Sequence, residues 1–467
     1  METNLPKPLP KQQPASSRSK TALYQAVWRW HFYAGIIFAP FLIILAVSGS
    51  VYLFKPQIEA FMYEKVYMVK EQSEAAQALS LSSQLSSVKN EYPDAAVSAI
   101  KLYEDPARTT EFSVMTADGM TSVYVNPYSG AVAGQLKNEE KLTEIFKKLH
   151  SELVIGGTFA NRLVELAACW AVILLITGLY IWWPRNRASI WGTLLPRFRH
   201  KGRIFWRDLH AVPAFWLSIF LLLLILTGLP WSGVMGEQIN RLATSTHTGY
   251  PEYAHSFGAK PESGLKAGDV AEDVPWAAEN MDVPVSAPSG YVPISLEDVS
   301  FIAANENIQK PYTISMPQGS TGVYTLATSH SRPGDDATLH VDQYTGAVLS
   351  DVRYEDYGIM AKAITNGIAL HEGRLFGLTN QIIGLIVCIG LVVLILSSFV
   401  MWRKRKPNGK LGAPAKPKDQ RSARAILLIM LVLGIIMPLV GISILVVLVL
   451  DLWIIPRIKP LRAWLNT

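Results

Sequence analysis

Crossing the hydrocarbon core of a bilayer takes about 20 consecutive apolar residues, and four runs of this chain meet that length: roughly 31–54, 163–183, 211–231 and 379–402. A fifth, near 425–455, is too long for one upright helix and short for two. The chain therefore reads as a polytopic α-helical membrane protein. Lys and Arg gather in the N-terminal tail (Lys7, Lys11, Arg18, Lys20, Arg29) and in the segments 185–207 and 403–424. Such segments stay in the cytoplasm, which sends 55–162 and 232–378 to the opposite side. The net charge of +6 then reports topology and calls for no nucleic acid partner. The alternative for the first run is a cleaved signal peptide ending near "LAVSGS". The long tail before the run, and its continuation through Val51, Tyr52, Leu53 and Phe54, suit an anchor better.

The runs are not independent, because the chain reads as two copies of one unit. "WRWHFYAGIIFAPFLIILAVSGS" matches "FWRDLHAVPAFWLSIFLLLLILTGL", with Gly49 and Gly228 each 18 residues after a histidine. "KLHSELVIGG" through "LYIWWPR" matches "ALHEGRLFG" through "FVMWRKR", and "VYVNPYSGAVAG" matches "LHVDQYTGAVLS". In "VNPYSG" and "VDQYTG" an Asn or Asp opens a turn that Gly130 or Gly346 closes, so each reads as a hairpin tip. "SLSSQLSSVKNEYPDAAVSAIKLYED" reads as a polar-faced helix followed by a strand, making the outside segments α+β. The Pro- and Gly-rich insert, about 249–293, reads as loop.

The expected organisation is a cytoplasmic tail (1–30), a first span (31–54), an outside domain (55–140), an interfacial helix (141–157), a second span (160–183) and a basic loop (184–207). The second unit repeats this as a span (208–232), an outside domain (233–355), an interfacial helix (356–377), a span (378–402) and a basic loop (403–424). A C-terminal hydrophobic hairpin broken at "MPLVG", or one kinked helix, fills 425–456, and a cytoplasmic tail (457–467) ends the chain. The fold class is thus a four-helix transmembrane core from an internal duplication, with two extracytoplasmic α+β domains and a hydrophobic hairpin. Cys169 and Cys388 fall in mid-span and read as small apolar filler.

The duplication sorts the nine histidines. His31 and His210 sit at equivalent positions where the first and third spans leave the cytoplasm; His150 and His371 sit at equivalent positions just outside the second and fourth. An ionisable residue in or beside a bilayer is a functional candidate by default. One use is axial ligation of haem iron, with an imidazole on each face of the porphyrin. Matched depth pairs His31 with His210 and His150 with His371; pairing within one unit would need a tilted geometry. From His31 to Gly49 is about 27 Å of helix, so two sites can stand one above the other. An unbroken helix from His150 to Leu166 would lift His150 about 24 Å above the apolar core. A break at Gly156 and Gly157 lets "LTEIFKKLHSELVI" fold down, with Leu142, Ile145, Phe146, Leu149 and Leu153 on the face turned to the membrane or bundle. Gly373 and Gly377 repeat the device. Arg29 and Arg207 flank the inner pair, and Arg162 and Arg374 the outer, where haem propionates would take charge-assisted hydrogen bonds; snorkelling to headgroups is the alternative. Interfacial anchoring is the bland reading of the histidines, and metal binding by the outer pair alone is a second. His200, His247, His255, His330 and His340 take surface roles by default. Trp182, Trp183 and Trp402 read as belt residues.

With these motifs in view, the chain resembles the PepSY-associated transmembrane proteins, the iron-regulated inner-membrane group that includes bacterial ferric-siderophore reductases. "WRWHFYAG", the turns "VNPYSG" and "VDQYTG", "LHSELVIGG", "LHEGRLFG" and the tail "GIIMPLVGISILVVLVLD" carry the resemblance over nearly the whole chain. It implies PepSY-like outside domains and a protein of the bacterial inner membrane. It also implies two haems b ligated by His31, His150, His210 and His371, and haem-dependent reduction of a ferric siderophore or other ferric chelate on the periplasmic side. No residue is singled out as catalytic. The short basic cytoplasmic segments carry no G-x-G-x-x-G after a strand, so a quinol or a cytoplasmic reductase is the expected donor. The rival from another class is a non-redox membrane protein whose outside domains bind a peptide or protein. A transporter of the chelate itself would call for charged or broken helices at mid-membrane, of which the four spans show little.

Overall fold

The structure is a computed structural model that describes residues 15–69, 77–116, 119–153, 155–184, 189–249, 263–287, 292–328, 332–414 and 420–465. Lys7, Lys11, Arg185, His255, His330 and positions 250–262 and 288–291 of the insert lie outside the described residues.

The first half runs through α1 (Ala15–Tyr52), α2 (Lys55–Met62), α3 (Glu64–Tyr67), α4 (Leu81–Glu91), strands β1 (Ala96–Leu102), β2 (Thr110–Thr116), β3 (Gly119–Val125) and β4 (Val132–Lys137), then α5 (Leu142–Glu152) and α6 (Gly157–Trp182). The second half repeats the order: α7 (Arg203–Gly228), α8 (Val234–Ser245), α9 (Ala267–Val270), α10 (Leu296–Asn305), β5 (Tyr312–Ser315), β6 (Val323–Thr328), β7 (Ala337–Asp342), β8 (Val348–Arg353), α11 (Ile359–His371) and α12 (Gly377–Arg405). Helices α13 (Gln420–Ile436), α14 (Pro438–Val449) and α15 (Lys459–Leu465) follow. Among the described residues five helical segments are long and apolar enough to cross a membrane: 22–52, 157–182, 203–231, 377–405 and 438–457.

The two outside segments do not form separate sheets. Their strands join in one antiparallel sheet of order β4-β3-β2-β1-β5-β6-β7-β8, the halves meeting where Ile100 pairs with Ile314. Each half is a meander whose last hairpin is closed by the turn the sequence marks. Asn126 Oδ1 accepts from the Tyr128 and Ser129 amides, and Asp342 Oδ1 from those of Tyr344 and Thr345. Gly130 and Gly346 both take φ +72, which a side chain would strain. On one face α4 and α10 pack Leu81, Val88, Leu296 and Val299 against Phe112, Val114, Leu326 and Leu339.

The insert read as loop covers the other face: apart from the four-residue α9 its described residues are irregular, yet they are packed. Its described part, 263–287, buries Ala267, Ala277, Ala278 and Met281 against Val323, Ala327, Val352 and Ala361. Small side chains without strand or helix periodicity pack closely yet leave no pattern to read. Covering both faces also explains His340, which is no surface residue: β7 is buried throughout, and His340 is 1% exposed with Nδ1 3.0 Å from Thr325 Oγ1. A strand buried on both sides loses the alternation that would have marked the inward position. His200, by contrast, is exposed.

Below the sheet, α1, α6, α7 and α12 form a ring in that order, so α1 stands diagonally across from α7. Helices α13 and α14 turn back on each other at Met437, with Gly434 and Gly441 in backbone contact. They pack Met430, Met437, Val440 and Ile444 against Phe38, Leu42 and Trp170. The returning tail is tied at the basic end, where Leu411 N donates to Trp464 O and Tyr33 Oη to Leu465 O. The run is a hairpin in shape, as the Pro438 and Gly441 break suggests.

Candidate cofactor cavity

A single cavity of about 1700 Å³ runs along the axis of the four-helix ring, and His31, His150, His210 and His371 all line it. His31 on α1 and His210 on α7 come from diagonal helices at the basic end. His150 and His371 hang from α5 and α11 at the sheet end. The chain reaches that position as the glycines suggest: Leu153, Gly156 and Gly157 all take positive φ between α5 and α6, and Gly373 and Gly377 do so between α11 and α12. Along the descending α5, Ile145 is 49% exposed, so the expected apolar face is split between bundle and surroundings.

Each histidine is seated on the neighbouring span of its own half by the same device. His150 Nδ1 donates to Leu45 O at 3.0 Å, with Ser48 Oγ at 3.1 Å. His371 Nδ1 donates to Leu224 O at 2.8 Å, with Thr227 Oγ1 at 3.3 Å. His210 Nδ1 donates to Leu394 O at 2.9 Å. His31 Nδ1 lies 2.9 Å from Thr177 Oγ1, whose own hydrogen goes to Ile173 O, so that oxygen accepts. The seats share a sequence: "LAVSG" (45–49), "LLITG" (174–178), "LILTG" (224–228) and "LILSS" (394–398). This Leu-x-x-Ser/Thr-Gly/Ser signal was present in the chain and missed, because only Gly49 and Gly228 stood out against the apolar background. The small residue makes room: a Cβ on Gly228 would come 2.9 Å from His371 Cε1, on Gly49 3.1 Å from His150 Cε1, and on Gly178 3.3 Å from His31 Cε1.

The seating fixes the chemistry of the rings. A carbonyl only accepts, so a neutral imidazole facing one carries its hydrogen on Nδ1 and keeps the lone pair on Nε2. Among the described residues no protein partner takes Nε2 of any of the four. A ring whose Nδ1–H is held by the protein and whose Nε2 is free is poised as a metal ligand. The ring centroids of His150 and His371 are 6.1 Å apart with planes at 68°. Two imidazole nitrogens about 2 Å either side of one metal, each about 1.1 Å in front of its ring centroid, give a separation of about 6 Å. No three His, Cys, Asp or Glu side chains converge as a metal site among the described residues. A centroid separation of 6.1 Å suits two imidazoles sharing one iron, and in that respect the residues present fit a haem. Among the described residues His31 and His210 make no such ring contact, though both line the cavity.

The arginines are distributed differently from the expectation. Arg29, two residues and so about 200° around the helix from His31, turns away from the cavity to donate to Pro414 O at 2.6 Å. Arg162 pairs with Glu165 at 3.6 Å and fills the space over Gly233, and Arg374 pairs with Glu372 at 2.5 Å; neither lines the cavity. Arg207 does line it, held by Asp208, which also takes a bidentate grip from Arg197. Arg203 and Arg405, not singled out from the sequence, line the basic end as well.

Other side chains complete the walls. Trp231 lies beside His371 at the sheet end, ring centroids 5.9 Å apart. Glu165, 1% exposed within a span, accepts from the amides of Val234 and Met235 and so closes the start of α8. Trp182 and Trp402 do more than the expected belt: both line the cavity while donating to Thr193 O and Leu411 O, whereas Trp183 is 66% exposed. Cys169 is buried in the helix packing and Cys388 borders the cavity, both as free thiols.

A family-wide sequence profile described as the PepSY-associated TM region matches residues 28–405, a span that takes in all four histidines and their four seats. No curated protein matches the chain.

Proposed function

The chain belongs to the PepSY-associated TM family, and on that premise we propose that it is a haem-containing transmembrane electron-transfer protein. It would reduce ferric iron in a siderophore or other chelate on the periplasmic side of a bacterial inner membrane, with a quinol or a cytoplasmic reductase as donor. The observation that carries this reading is two imidazoles at each end of one cavity, every ring held by Nδ1 and, among the described residues, with no protein partner on Nε2. Two haems b, when bound, supply one-electron iron couples within the membrane's thickness.

The chain's own residues do the rest. The Leu-x-x-Ser/Thr seats fix tautomer and ring orientation before any cofactor arrives. The apolar walls from Ile36, Leu42, Leu175, Leu221 and Leu391 exclude water between the two ends. The charge of the basic segments supports a cytoplasmic side for them, and with it a periplasmic side for the sheet and the His150–His371 pair. Pairing of β1 with β5 joins the two outside segments in one sheet, so the chelate is not expected to lie between them. The acceptor would instead approach the cavity rim at Lys147, Ser151, Glu372 and Tyr52. Reduction releases iron because hard oxygen donors hold Fe(II) less well than Fe(III).

The test is the visible spectrum of the purified full chain. A dithionite-reduced α-band that diminishes on His→Ala at each of the four positions is the expected result. A colourless protein excludes this reading and leaves the partner-binding one.

A further inference from the structure

Arg203 and Arg405 both line the basic end of the cavity. Among the described residues no carboxylate pairs with either; Asp208, the nearest buried acid in sequence, is already taken by Arg197 and Arg207. Two like charges without a counter-charge are costly unless something anionic sits between them. Arg405 is held in place rather than free to swing out. Its Nη2 donates to Gly412 O at 2.9 Å, and the guanidinium lies 5.1 Å from the Trp28 ring and 5.0 Å from the Phe32 ring. Its Nε is buried with no hydrogen-bond partner, an arrangement that native interiors rarely leave unanswered. Trp28 and Phe32 flank His31 on α1, and Arg203 stands on the His210 face of α7, seven residues earlier and about 10.5 Å along the helix. The start of α7, with Gly202 offering no side-chain cap, adds the positive end of a 26-residue helix at the same rim.

We propose that Arg203 and Arg405 form a carboxylate-binding pair that receives the two propionates of a haem held by His31 and His210. This rests on the haem reading above and replaces Arg29 as the inner cation. Bidentate guanidinium–carboxylate contacts suit this chemistry better than a lysine point charge. Cations at the carboxylate edge also favour the reduced, less positive state of the iron, so their loss lowers the reduction potential.

The experiment is a spectroelectrochemical titration of the full chain in the His371→Ala background, which leaves only the inner centre. Arg405→Gln and Arg203→Gln are each expected to lower the inner midpoint and the haem-to-protein ratio. Arg405→Lys should restore most of the midpoint, which a purely structural role would not do. Arg29→Gln is the control and should move neither. Unchanged midpoint and haem content in both Gln variants overturn the proposal and leave the rim to an anionic lipid headgroup. Equal losses in Arg405→Gln and Arg405→Lys also overturn it, by showing that shape and not charge matters. A colourless parent chain is a separate outcome, since it removes the haem reading itself.

Discussion

The two ends of the cavity seat their imidazoles by one device in different surroundings. At both, an imidazole from one element is seated on a Leu-x-x-Ser/Thr turn of the next. At the sheet end the imidazoles descend on short helices, are gripped by both a carbonyl and a hydroxyl, and sit 6.1 Å apart among acids, hydroxyls and Trp231. At the basic end they rise from long spans, have one grip each, and share the cavity with Arg203 and Arg405, with which no carboxylate pairs among the described residues. The two ends thus share the seating of their imidazoles and differ in the charge around it. Cofactor identity would then be set by what is shared, and potential by what differs.

The sharpest way to break the comparison is to remove one pair. His150→Ala or His371→Ala should abolish the outer centre alone, halving the haem-to-protein ratio; His31→Ala or His210→Ala should abolish the inner one alone. A single substitution that empties both ends would mean the two are not separate sites. Next in size come the seats. Gly228→Ala pushes into His371 at the shortest distance and should cost the outer centre about 1–3 kcal/mol of binding, with Gly49→Ala milder and Gly178→Ala mildest, as haem-affinity titrations would rank them. An order that ignores the 2.9, 3.1 and 3.3 Å contacts would detach the glycines from the histidines. Smaller again are Ser48→Ala and Thr227→Val, which remove a second acceptor while the carbonyl stays. About 1 kcal/mol of haem affinity is the expected loss, confined to the outer centre.

Much of this was legible in the chain. The apolar runs marked the long helices, the matched motifs singled out four histidines that line one cavity, and the Asn126 and Asp342 turns marked the hairpins, because each is written in local residue chemistry. Three things were not. The union of β1 with β5 is a long-range pairing with no local mark. The buried strap at 263–287 is built from Ala and Pro without a period. The direction of an arginine depends on angle: Arg29 and Arg405 look alike in sequence, yet one turns to Pro414 and the other to the cavity rim.

The smallest effect separates sheet from cavity. Burial alone would raise the Glu111 carboxyl, but Lys141 and a hydrogen bond from Tyr103 hold it below its usual value of 4.5; Lys101 and Thr313 do the same for Asp273 below 3.8. A depressed carboxyl stabilises fully above its unfolded value and loses that contribution as pH falls through the folded one. Sheet stability, followed by hydrogen exchange at Phe112 and Leu326, should therefore be flat at neutral pH and decline only in acid. An equally acid-sensitive decline in a soret-free, cofactor-stripped sample would place the effect in the sheet alone.

The central claim is most directly tested by the haem-to-protein ratio of the full chain, read from a pyridine haemochrome spectrum against amino-acid analysis. Two haems b per chain, falling to one with each of the four His→Ala substitutions, is the predicted result. A colourless protein, or a haem content indifferent to all four histidines, would contradict it.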